Sequence, residues 1–142
     1  MKKIFLLAVA FLGLAFFIKS LAQTDNHKDA EAAATLASQA WLKIIDAEDY
    51  AKSYLETGKI FQSAVTNEKW ISSITPIRKQ MGKLIARENF STTYTTTVPG
   101  APDGEYVILQ FKTSFANKKE ATETVSVVKE NGSWKVVGYF IK

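Results

Sequence analysis

The sequence predicts an α+β fold, with three or four N-terminal helices packed on a curved four-stranded antiparallel sheet. Three observations carry this. Apolar residues recur at helical spacing as far as Met81, and from Leu84 the period changes to two. Two turn-rich stretches, Pro99-Gly100-Ala101-Pro102-Asp103-Gly104 and Glu130-Asn131-Gly132-Ser133, separate alternating runs as hairpin loops do. Helices first and hairpin-linked strands afterwards is the order of a chain that stacks its helices on one face of its sheet.

The first element is read as a leader and not as part of the fold. Met1-Lys2-Lys3 is followed by fifteen apolar or small residues, Ile4 to Ile18, and then by Lys19-Ser20-Leu21-Ala22. A basic start, a short apolar core and a small-x-small site are the parts of a secretory signal peptide, here cleaved after Ala22. The alternative, a retained anchor, wants roughly 18 or more apolar residues. The mature chain, expected in the periplasm or outside the cell, would be residues 23–142 and free of stable membrane insertion. Its formal charge of +4 falls to +1 once Lys2, Lys3 and Lys19 leave with a leader that holds no acid. Such a charge gives no footprint for nucleic acid. The chain has no cysteine, so it has no disulfide framework, no thiolate nucleophile and no lipid-modified cysteine, and packing alone must hold it.

Residues 23–28 are polar and read as a disordered start, with the single histidine, His27, in a solvated tail. A single domain is expected over 29–142. Asp29 is placed to cap a helix with an apolar stripe of Ala33, Leu36, Ala37, Ala40, Trp41, Ile44 and Ile45. The acids of Asp46-Ala47-Glu48-Asp49 break that stripe and suit a new helix N-terminus. A short helix through Tyr50, Tyr54 and Leu55 would end at Gly58, which takes the left-handed conformation cheaply. Phe61 and Val65 belong to a further short segment. Thr66 then caps a helix carrying Trp70, Ile74, Ile77 and Met81, stopped by Gly82. Pro76 either kinks that helix or opens a fresh one capped by Thr75.

Leu84 to Val98 is a long β run, bulged near Glu88, with Leu84, Ala86, Phe90, Tyr94 and Val98 on one parity. In the second strand Val107, Leu109, Phe111, Thr113 and Phe115 form a core face. The third, Glu120 to Glu130, sets Val125 and Val127 against Thr122, Thr124 and Ser126. The last, Trp134 to Lys142, is apolar on both sides and reads as buried on both faces. Ile108, Tyr106 and one side of that strand would supply the outer face of the sheet, through which a homodimer could form.

Several motifs resemble a known family. They are Arg78 with Met81-Gly82, Arg87, the run from Pro99 to Tyr106, Phe111 with Thr113-Ser114-Phe115, Asn117-Lys118, Glu123-Thr124-Val125 and Trp134-Lys135-Val136-Val137-Gly138-Tyr139. From Leu42 to Lys142 the chain resembles an exported bacterial family catalogued as a domain of unknown function, DUF4019. That family is placed within the nuclear-transport-factor-two-like, or cystatin-like, cone fold. The resemblance implies fold and export, and no activity.

Cone folds of this kind include acid-base enzymes, so the sequence is weighed for a catalytic set. It holds no HExxH, no GxSxG, no phosphate-cradling glycine loop and no metal spacing, and neither a catalytic residue, a cofactor nor a metal is assigned. Asp103 and Glu105 fall in or beside a turn, where such acids bond their own backbone. Glu88 and Glu123 fall on strands. An isomerase- or hydratase-like enzyme with one of them as base and Tyr94 or Tyr139 as donor is the alternative. The preferred reading is a non-catalytic binding module for a small molecule or an envelope protein partner. A third reading is an accessory domain that dimerises through its sheet. Trp41, Tyr94 and Tyr139 are candidates to line a cone cavity, their plainer role being core. Arg78 and Arg87 are candidates to bind an anionic ligand, their plainer role being a structural pair with Glu88, Glu123 or Asp46.

Overall fold

A computed structural model of the protein describes residues 27–142. The leader expected over 1–22 lies outside the described residues, as do 23–26 of the polar start. Residues 27–46 are helical (α1), so the helix is already under way at Asp29, which sits inside it and does not cap it. In the unit Glu31–Lys142 the buried face of α1 is Ala34, Ser38, Trp41, Leu42 and Ile45. This is one residue round from the expected stripe, and Leu36 is 70% exposed.

Three shorter elements complete the helical half. In α2, Tyr50–Leu55, the Asp49 carboxylate accepts from the Lys52 N–H at 3.2 Å. Gly58 is not the left-handed stop that was expected. Its φ of −74° and ψ of 162° are extended, and it leads into α3, Lys59–Ala64. The reason is tertiary: Thr57 bridges Val136 in parallel, and the Gly58 N–H donates to the Val136 carbonyl at 2.8 Å. In α4, Asn67–Met81, Thr66 caps as expected, accepting from the Lys69 N–H at 3.2 Å. Pro76 lies inside this one helix, and Gly82 ends it with φ 77° and ψ −165°, a region open essentially to glycine alone. No described helix is long and apolar enough to cross a membrane.

The four strands are β1, Leu84–Thr95; β2, Tyr106–Phe115; β3, Lys118–Glu130; and β4, Ser133–Ile141. They form an open antiparallel sheet in the order β1-β2-β3-β4, so the α+β plan holds. The turn after β3 has positive φ at both Asn131 (50°) and Gly132 (81°), the requirement of a tight two-residue hairpin. The hairpin loop before β2 folds back on the sheet: the Tyr106 hydroxyl donates to the Pro102 carbonyl at 2.6 Å, and Tyr106, expected on an open outer face, is buried.

Irregularities decide which side chains face the helices. In β1 the register shifts between Asn89 and Ser91, so Arg87, Asn89 and Tyr94 pair opposite core-facing Thr113, Phe111 and Val107. The expected parity of β1 therefore fails across Phe90. In β4 the register shifts opposite Ser126 and Val127, leaving Val137 as an extra residue. Val136 before it and Tyr139 after it both face inward, while Phe140 is 61% exposed. The last strand is thus an edge strand with an inward face that changes parity at a bulge, and not a strand buried on both sides. The core gathers Trp41, Leu42, Ile45, Trp70 and Ile74 of the helices with Leu109, Phe111, Val125 and Val127 of the sheet.

Candidate functional site

At one end of that core the inward face turns polar. Arg87 of β1 stands beside Thr113 of β2, and Glu123 of β3 stands beside Phe111. Tyr139 of β4 pairs with Val125. The helices bring Asp46 from the end of α1 and Arg78 from the last turn of α4. Each strand and two helices contribute one side chain.

The Arg87 guanidinium makes two forks. Its Nε and Nη2 donate to Glu123 Oε1 and Oε2 at 2.6 and 3.1 Å. Its Nη1 and Nη2 donate to Asp46 Oδ2 and Oδ1 at 2.7 and 2.9 Å. Thr113 donates its hydroxyl to Glu123 Oε1 at 2.6 Å, and Tyr139 donates to Oε2. Glu123, wholly buried, thus has donors on every lone-pair direction. Arg78 reaches Asp46 Oδ1 through Nη2 at 2.9 Å, and its plane lies over the Phe115 ring at 5.0 Å. Its Nε and Nη1 are buried without an acceptor.

The charge states follow. Burial disfavours an ionised Asp46, but the bonds and charges of Arg87 and Arg78 outweigh it and hold the carboxyl below its ordinary value. Burial opposes the Arg87 charge too, and its two carboxylates more than restore it. Burial, with the negative charge of Glu123 beside it, pushes the Tyr139 phenol well above the ordinary range. The network is two cations against two anions with a neutral phenol. Such a cluster fixes geometry more surely than it adds stability.

Several cavities border it, one of about 270 Å³ lined by Asp46 and Arg87 with Gln39, Lys43 and Phe111, and two larger. One of about 450 Å³ is lined by Arg78 and Asp46 with Ala47, Glu48, Tyr50, Lys79, Gly82, Lys83 and Leu84. The other, about 490 Å³, lies beyond Arg87 and Thr113 and is rimmed by Lys112, Lys119, Lys142, Glu88 and Glu120. Among the described residues no cluster of acids and histidine is placed to hold a metal.

Of the five candidates read from the sequence, Arg78, Arg87 and Tyr139 meet in this network. Trp41 packs edge-on against the Tyr139 ring, centroids 5.3 Å apart, and its indole N–H donates to the Ser53 carbonyl at 2.9 Å. Tyr94 is elsewhere: its hydroxyl donates to Glu105 at 3.3 Å, and its backbone N–H to the Glu31 carboxylate at 3.2 Å. Glu88 is exposed, opposite Lys112. Sequence reasoning passed over Thr113. The signal for Thr113 was its place as a lone polar residue on the apolar parity of β2.

The family model described as a protein of unknown function, DUF4019, matches residues 37–139. The chain belongs to this family. The DUF4019 match spans the whole network, from Asp46 through Tyr139. No curated protein matches this DUF4019 chain.

Proposed function

We propose that this DUF4019 protein is an exported, non-catalytic binding module that holds a small molecule or an envelope protein partner beside its arginine network. One observation carries the reading: the carboxylates of Asp46 and Glu123 are spent on arginines and hydroxyls, while Arg78 keeps two donors unspent beside a cleft. A general base needs a lone pair turned toward a substrate proton. Glu123 and Tyr139 do lie within hydrogen-bond reach, as the isomerase-like alternative requires. That alternative would have Glu123, with no exposed surface, surrender Arg87 before it could act.

Native mass spectrometry of protein recovered from the exported fraction without refolding tests the proposal. The expected spectrum shows a chain beginning at Gln23 with a reproducible added mass or a stoichiometric protein partner. A bare mature chain in every preparation argues against it, and a chain still carrying residues 1–22 overturns the export.

A further inference from the structure

We infer that the cleft beside Arg78 takes a small organic monocarboxylate, its carboxylate meeting one of the unspent guanidinium donors and its apolar body lying against Ala47, Tyr50 and Leu84. This rests on the binding-module reading and gives it a site and a ligand class.

The argument begins with the imbalance between the two arginines. Arg87 is held by two complete carboxylate forks, whereas Arg78 receives one oxygen of Asp46, already shared with Arg87. Arg78 is only 5% exposed, and its Nε and Nη1 have neither an acceptor nor surface open to solvent. Buried guanidinium donors are costly to leave unmet. One face of the group is covered by Phe115 at 5.0 Å. Nε and Nη1 lie on different edges of the guanidinium, each beside Nη2, and a planar carboxylate is the partner that fits one such edge.

The surroundings narrow the class. The cavity of about 450 Å³ is of a size for a small ligand. Lys79 and Lys83 add positive charge to its lining, against Glu48 and an Asp46 already neutralised. The Tyr50 ring, Ala47 and Leu84 give the same lining an apolar side, which a bare inorganic oxyanion would leave unused. Because the two donors lie beneath the cavity wall, the ligand must part it. The Ala47-Glu48 turn forms part of that wall, and Glu48 stands at φ 61°, a conformation that non-glycine residues hold at a cost, so displacing this turn is a local change.

The test is a titration of the mature protein with benzoate, followed by backbone amide NMR. Shifts confined to Ala47, Tyr50, Lys79, Gly82 and Lys83 are expected. Lys83→Gln, at an exposed position, should weaken binding about two- to fivefold without altering the remaining spectrum. Arg78→Gln should abolish it, and if that variant does not fold, Lys83→Gln and Tyr50→Ala decide. Shifts centred on Lys112, Thr122 and Lys142, no saturable shift up to the solubility of benzoate, or equal affinity for inorganic phosphate each overturn the inference. A retained mass in the native spectrum with no benzoate response at Arg78 would sink this site and leave the binding module standing. A localised benzoate response with a bare native chain would keep the site and count only against a ligand held through purification.

Discussion

Arg87 reaches over β2 to Glu123, two strands away, with an Nε–Oε1 distance of 2.6 Å. Removing one member of a buried pair leaves the other charged and unpartnered. Arg87→Met should therefore destabilise the fold by about 3–5 kcal/mol. In a Glu123→Leu background the same change should cost measurably less, since Asp46 and Arg78 then remain as a balanced pair. Urea denaturation of the two singles and the double checks this, and simple additivity would contradict the coupling.

Asp46 sets an acid limit. Its folded carboxyl is held below the ordinary value of 3.8, so it binds a proton less readily folded than unfolded. The stability it contributes is present above that value and is lost as pH falls through the lower, folded value. The urea midpoint should drop as the pH goes below about 4. Asp46→Asn should start less stable at neutral pH and show a shallower acid decline.

Tyr139 sets an alkaline limit of opposite sign. Its folded phenol keeps its proton above the ordinary value of 10.0. The contribution is complete below that value and is lost as pH rises through the raised, folded value. Tyr139→Phe should remove part of the stability loss seen above pH 10. It should also cost about 1.5–3 kcal/mol at neutral pH through the lost bond to a charged acceptor.

Ser53 joins two tryptophans. Its carbonyl accepts from Trp41 Nε1–H at 2.9 Å, and its hydroxyl accepts from Trp70 Nε1–H at 3.0 Å while donating to the Tyr50 carbonyl at 2.7 Å. Ser53→Ala leaves the Trp70 N–H buried and unpaired, a loss of about 1–3 kcal/mol. A shift in tryptophan emission should accompany it, because only one of the two indole bonds is removed.

Gly82 and Gly132 offer a matched comparison. A Cβ at Gly82 would sit 2.9 Å from Asn117 Nδ2 with φ at 77°, whereas at Gly132 it would meet nothing within 4 Å at φ 81°. Gly132→Ala should cost about 1–2 kcal/mol from backbone strain alone. Gly82→Ala should cost more, and thermal melts of the two would rank them.

How much of this was legible depends on what each residue answers to. Caps and turns answer to local chemistry, so Thr66, Gly82 and the Asn131-Gly132 turn could be read directly. Gly58 could not, because its extended backbone is dictated by Val136, 78 positions along the chain. The inward face of β4 was misread because a single extra residue, Val137, makes both parities apolar in sequence. In the network, the sequence names Arg78, Arg87 and Tyr139 as candidates, Glu123 as a possible base or pairing partner, and Asp46 as a pairing partner. That the arginines pair with Asp46 or Glu123 is legible in the sequence; which carboxylate meets which arginine is not, since it depends on the bulge in β1 and on where the end of α1 meets the last turn of α4.

The two margins of the sheet are treated differently. On β4 the Val136 carbonyl is taken by Gly58, so a backbone from another molecule finds that stretch already occupied. On β1 the ladder breaks at two places, between Leu84 and Ala86 and between Asn89 and Ser91, and farther along the Tyr94 N–H is claimed by Glu31. A neighbouring chain would meet only short, misaligned runs of free amides. At high concentration the folded protein should therefore resist growing into strand-paired polymers, even with Phe140 and Phe90 open to solvent.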